Sequence, residues 1–162
     1  MENDNQETPG RTPLKEKALD LLSYRRLSRR ELRDKLLFKH YEAAEIEALL
    51  DRYVELGLLN DESLAQDFAR RRIEVKPMSR RLLRLEMLNR RLPENIVEQT
   101  LEKIFQTVSE EELANKAIEA ILNRVNLRSR VWNRLTRLGF PHDLIERLVA
   151  AHSERIEDDG RY

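Results

Sequence analysis

The sequence holds no cysteine, only four glycines and five prolines in 162 residues, and aromatic side chains amount to 6% of it. Without cysteine there is no disulfide, no thiolate metal ligand and no cysteine nucleophile, which is compatible with a reducing compartment. So little glycine and proline argues against a β-rich fold with many tight turns, and all-α is the expected class. No apolar run approaches the roughly 18 residues of a membrane span, and the N-terminus lacks the basic and apolar regions of a signal peptide. A cytoplasmic location with no membrane partner is the expectation. Thirty basic residues balance thirty acidic ones, so the whole-chain charge points to no anionic partner.

The side chains of a catalytic or metal centre are also scarce. His40, His142 and His152 lie in different surroundings, and none has a second histidine four residues on, as a helical zinc pair requires. Gly10, Gly57, Gly139 and Gly160 are too scattered to cradle a phosphate. The acid run Glu110, Glu111 and Glu112 is explained by a helix N-terminus, where negative charge offsets the macrodipole. No enzyme activity, cofactor or metal is expected.

What the sequence does have is a repeat. Setting Tyr41 on Leu92, 51 residues later, and on Phe140, a further 48 residues on, superimposes three templates without gaps. Leu36, Tyr41, Ile46, Leu49 and Leu50 fall on Met87, Leu92, Val97, Thr100 and Leu101, then on Leu135, Phe140, Ile145, Leu148 and Val149. Thr100 is the single residue of the fifteen that is not apolar. A period near 50 marks an array of supersecondary units. Each unit reads as a leading helix, a basic amphipathic helix, a short break and a second amphipathic helix. Capping-box spacing marks helix starts at Ser28 with Glu31 and at Ser109 with Glu112, and Ser79 is a further cap. Pro93 and Pro141 suit the first helical position, and Gly57 and Gly139 suit left-handed helix ends.

These signals give a tandem array of three three-helix modules, about nine helices, elongated and curved. The modules span residues 14–58, 59–106 and 107–153, between a disordered tail at 1–13 and a frayed end at 154–162. Modules that touch mainly their neighbours predict that a chain ending at Arg124 keeps the first two folded.

Charge alternates along the chain. Nine basic residues stand against three acids from Gln66 to Leu92, and five Arg against none from Arg124 to Arg137, whereas Glu42 to Glu62 holds seven acids and one Arg. A solvated helix face with ion pairs four residues apart, such as Asp67 with Arg71, accounts for part of this. The clusters Arg70, Arg71, Arg72 and Arg80, Arg81, Arg84 also suit phosphate oxygens, and with Arg130 and Arg134 they form the candidate nucleic-acid or filament contact. A groove between the first two modules is the expected place of the clusters from Arg70 to Arg84. The competing expectation pairs Arg81 and Arg84 with acids of Glu42 to Glu62. Trp132, among arginines, is a candidate to stack on a base, although its neighbours Val131 and Leu135 favour core packing.

SRRELRDKLL at 28–37, EIEALLDRYVELGLLNDESLAQDFARRRI at 45–73, SRRLLRLEML at 79–88 and the Gly139–Phe140 pair before a terminal helix resemble the RecX family of recombinase regulators. The resemblance runs from about Ala18 to Ala150. It departs at Lys76, Pro77, Met78 and Ser79, where family members commonly carry a Gly-Tyr-Gly-Pro turn. It implies binding to the RecA recombinase in its nucleoprotein filament, with filament growth and the strand-exchange, ATPase and coprotease activities lowered. Weak contact with single- or double-stranded DNA without sequence preference, by a monomer, is the accompanying expectation, in keeping with the near-zero net charge. The alternatives are a helical DNA-binding transcription regulator, since three-helix units with basic second helices also resemble helix-turn-helix domains, and a pure protein-interaction scaffold.

Overall fold

The computed structural model describes residues 12–158 and Gly160; the tail expected at 1–13 lies almost wholly outside them. Among the described residues nine α-helices follow one another: α1 Leu14–Tyr24, α2 Arg29–Phe38, α3 Ala43–Glu55, α4 Asp61–Val75, α5 Arg80–Asn89, α6 Glu94–Phe105, α7 Glu110–Leu122, α8 Arg128–Arg137 and α9 His142–Ala151. Among the described residues there is no strand, only an isolated parallel bridge of Leu127 with Glu157. The fold is all-α.

The helix starts follow from side-chain chemistry. Ser28 and Ser79, both fully buried, accept the N–H of Glu31 and of Leu82 at 3.1 Å. Ser109 and Glu112 close a complete capping box, each side chain accepting the other's backbone N–H at 3.0 and 2.9 Å. Pro93 and Pro141 stand one place earlier than expected, at the N-cap, with ψ of 139° and 151°. Their fixed φ is compatible with that extended backbone, and the proline carbonyls accept the first helical bonds from Val97 and Ile145 at 3.0 Å.

The end of each basic helix is the same turn three times over. Tyr41, Leu92 and Phe140 donate their N–H back to Leu36, Met87 and Leu135, while His40, Arg91 and Gly139 donate to Leu37, Leu88 and Thr136. This pairing is the Schellman motif, and it needs a left-handed residue at the second set of positions. His40 has φ 65°, Arg91 φ 57° and Gly139 φ 85°. Glycine fills that place once, so the other two carry a strain that their residue types conceal. His40→Gly is accordingly expected to raise stability by about 0.5–1 kcal/mol, the relief of the left-handed penalty less glycine's entropy. Thermal melts of parent and variant check this, and an unchanged or lowered melting temperature refutes it.

The buried templates gather into two cores. The first joins Ala18, Leu27, Leu32, Leu36, Tyr41, Ile46, Leu50, Tyr53 and Leu59. On α1 the buried side is Ala18 with Leu21 and Leu22 half-buried, at helical spacing, while Leu19 faces outward. The Tyr41 and Tyr53 hydroxyls donate to the carbonyls of Thr12 and Lys15, so each ring is buried with its polar end satisfied.

The second core is continuous from Leu64 on α4 to Val149 on α9. By packing, the chain divides into residues 1–61 and 62–162, so that the helices expected as a second and a third module share one interior. The Ser79 N–H donates to the Leu138 carbonyl at 2.9 Å, tying the start of α5 to the end of α8. Thr100 is buried with its apolar counterparts, 4% exposed. The end expected to fray from Glu154 is held as far as residue 157: Ser153–Arg155 form a 3-10 turn, Arg128 N–H donates to the Glu157 carbonyl, and Glu157 N–H donates to the Asn126 carbonyl. Backbone pairing at 126–128 gives this polar segment its partners.

Candidate nucleic-acid interface

A basic residue is available to a partner only if the fold has not already neutralised it. Of the eight arginines singled out by sequence, two are neutralised in ion pairs and a third is engaged by a ring. Arg72 on α4 makes a two-pronged pair with Glu86 on α5, one prong at 2.8 Å. That hydrogen bond raises its pKa, so the guanidinium stays charged and occupied. Arg84 on α5 reaches both Glu98, at 2.5 Å, and Glu94 on α6. Its pKa rises from the bond to Glu98 first and to Glu94 after it. Arg80 lays its guanidinium over the Phe105 ring, 5.7 Å from the centroid.

The Arg84 seam is itself a repeated feature. One repeat earlier, Arg33 on α2 pairs with Glu47 on α3 at 2.5 Å, and Arg29 joins Glu47 and Asp51 at 2.8 Å each. The bonds from Arg29 and Arg33 hold the Glu47 carboxyl below the usual carboxylate range. One repeat later the arginine position is Trp132, half-buried against the second core and edge-on to His142 at 5.9 Å. The basic second helix of each unit is thus stitched or packed to its own third helix. Arg84 finds its acids there, and Glu42 to Glu62 are not its partners.

Arg71, Arg81 and Arg130 are exposed and make no ion pair among the described residues. Arg71 in particular is not paired with Asp67 four residues before it. The remaining two line clefts. Arg70 borders a cleft of about 470 Å³ between α4, α6 and α7, with Lys103, Lys116 and the acid Glu74 on its walls. Arg134 borders a second, of about 400 Å³, together with Lys76, Arg124 and Arg137. No acidic side chain lines this second cleft, and none of its four cations has an ion-pair partner among the described residues. The rest of its lining is largely apolar: Val75, Ala117, Ala120, Ile121 and Leu138.

Lys76, Arg124 and Arg137 were missed by sequence reading. Part of the signal was present, because Arg130, Arg134 and Arg137 sit at helical spacing on one stripe of α8, beside the buried stripe of Val131 and Leu135. The rest was not local. Lys76 joins the cluster only because the turn after α4 lies against α7 and α8. Among the described residues no group of three or more His, Asp or Glu is placed to hold a metal ion, and no helix is long and apolar enough to cross a membrane.

The family models of the first and second three-helix domains of RecX match residues 15–52 and 60–101, the two stretches that carry the first and second copies of the template. The chain belongs to the RecX family. Among curated relatives, the regulatory protein RecX of Chlorobium limicola is 36% identical over 86 residues, which cover 53% of this chain and 54% of that protein. The chain's match thus spans about half of that relative's length. The regulatory protein RecX of Corynebacterium efficiens is 28% identical over 166 residues, covering 96% and 79%. The crystal structure of RecX from Lactobacillus salivarius superimposes with a TM-score of 0.69 at 22% identity, over 87% of this chain and 95% of that one. That last likeness is one of fold. It extends the RecX architecture beyond the two matched domains.

Within this RecX-family chain the two kinds of arginine have opposite expected behaviour. Arg84→Ala is expected to lower the melting temperature, because it leaves Glu94 and Glu98 facing each other without their shared cation. Arg81→Ala, exposed and outside any ion pair, is expected to leave the melt unchanged. Thermal denaturation of the two variants side by side checks this. Equal melting temperatures would show the seam to be energetically idle.

Proposed function

We propose that this chain binds RecA nucleoprotein filaments and limits their growth, lowering recombinase and coprotease activity during DNA repair and the SOS response. The observation that carries the reading is the match of two successive three-helix domains to RecX. In this reading the chain works as a cytoplasmic monomer with no catalytic step of its own. Its three helical modules present cations to a partner built of both protein and DNA, and the DNA is held weakly and without sequence preference. Arg70, Arg71, Arg81, Arg130 and Arg134, which make no ion pair among the described residues, are its contact residues; Arg72, Arg80 and Arg84 serve chiefly to fix the helices that carry them. A net charge of zero suits a modulator that must not coat DNA indiscriminately.

RecA filament assembly on single-stranded DNA, followed with and without the protein, tests the proposal. Substoichiometric amounts are expected to slow extension. Undisturbed growth at equimolar protein overturns the reading, and protection of a defined DNA sequence would favour the transcription-regulator alternative instead. If Arg81 touches a phosphate, Arg81→Ala flattens the salt dependence of DNA binding by about 0.7 logarithmic units on single strands or 0.9 on duplex.

A further inference from the structure

The cleft of Lys76, Arg124, Arg134 and Arg137 combines two properties that a plain basic surface lacks. Its four cations line one concavity with no acid among its walls, and the rest of the lining is largely apolar. Like charges gathered without counter-charge repel one another, so the arrangement is relieved by a bound anion. Three of the four are arginines, whose planar forks match phosphate oxygens two at a time. With the cations, Ala117 and Ala120 on α7 line the cleft with small side chains, as do Ile121, Leu138 and a Val75 that is 81% exposed. That is an apolar surface kept in water beside phosphate-binding side chains.

Double-helical nucleic acid shows a protein its phosphates, its sugars and the edges of its bases, while the faces of the bases stay stacked inside. It meets the cations of such a cleft and leaves the apolar lining wet. An unpaired strand has free base faces and phosphates one nucleotide apart, and fills both. An acidic peptide answers the cations but brings no flat apolar group to the apolar lining.

We infer that this cleft binds one segment of single-stranded nucleic acid, with its phosphates on Arg134, Arg137, Arg124 and Lys76 and a base laid against Val75 and Leu138. The site gives the chain a preference for single strands over duplex. This rests on the proposed association with nucleoprotein filaments and names the strand that is touched.

The test uses the full chain without RecA, so that loss of single-strand binding and loss of filament modulation are scored separately. A fluorescent oligothymidylate and a duplex of the same length are titrated at low salt and read by anisotropy. The single strand is expected to bind more tightly. Arg134→Gln with Arg137→Gln is expected to weaken single-strand binding by about tenfold and to flatten its salt slope by about 1.4 logarithmic units, two contacts' worth. Val75→Asp is expected to weaken the single strand and spare the duplex, because only the single strand reaches the apolar lining. If the double variant fails to fold, Lys76→Gln with Arg124→Gln carries the same test from different segments. Equal affinity for both strand types, a double variant that binds like the parent, or a Val75→Asp loss common to both strand types overturns the inference. So does polyglutamate that displaces the oligonucleotide at equal charge concentration, which would mark a general polyanion surface.

Discussion

Replacing Gly139 with alanine is expected to destabilise helices α4–α9 by about 2 kcal/mol, because a conformational cost and a packing cost coincide at one Cβ. The first is conformational. Gly139 ends α8 with φ 85°, in the region that L side chains rarely enter, at roughly 1 kcal/mol. The second comes from packing. A Cβ built there would stand 2.3 Å from the Ser79 hydroxyl oxygen and 3.0 Å from the Leu82 Cβ. Ser79 cannot simply turn away, since its oxygen is the N-cap acceptor for Leu82 N–H and its own N–H is held by Leu138, the residue before Gly139. Turning it would release the cap, worth about 1 kcal/mol, and shifting the α5 backbone instead strains a packed core at a similar cost.

Chemical denaturation of the variant measures the sum. Gly57 supplies the internal comparison: its φ of 72° is also left-handed, but a Cβ there meets nothing within 4 Å. Gly57→Ala should therefore show the conformational cost alone, about 1 kcal/mol. Equal losses at the two positions would show that the close approach of α8 to α5 contributes nothing.

The same residues show what the sequence could and could not disclose. The helices were legible because each apolar template repeats, and fourteen of its fifteen positions are buried; Leu49, half-buried, is the other. The left-handed turns were legible at Gly57 and Gly139 and hidden at His40 and Arg91, since nothing in a histidine or an arginine announces positive φ. Comparing the copies reveals them: both align with Gly139. The division into three modules came from period alone, and period does not say whether neighbouring units keep separate interiors. Here the second core runs through α4 to α9. For the arginines, sequence supplied the clusters but not their partners. Glu47 lies fourteen residues beyond Arg33, and Glu98 fourteen beyond Arg84, a separation set by how a second helix folds back on a third. Such pairs fall outside the spacing rules that apply within one helix. The four-cation cleft needed still more of the fold, since its members come from three segments distant in sequence.

A chain ending at Arg124 is expected to lose the structure of α4–α7 while residues 14–59 remain folded, the reverse of what independent modules would do. The cut removes Val131, Leu135, Phe140, Leu144, Ile145, Leu148 and Val149, all buried in the core that also holds Leu83, Met87, Leu101, Leu113 and Ile118. It exposes the faces of α7 that pack on α8 and α9, including Leu113, Ala117, Ile118 and Ile121. It also deletes the Leu138 carbonyl that takes the N–H of Ser79. Each large side chain lost or laid bare forfeits about 1.5–3 kcal/mol of burial, and a handful of these matches the whole stability of a small domain, about 5–15 kcal/mol. The first core, from Ala18 to Leu59, shares none of these residues and keeps its own caps. Far-ultraviolet circular dichroism should therefore fall by more than the share of helix deleted. Limited proteolysis should leave a fragment ending near residue 61. A truncated chain that retains α4–α7 and melts cooperatively, with helical signal lost only in proportion to α8 and α9, would show that the shared interior is a contact between self-sufficient modules.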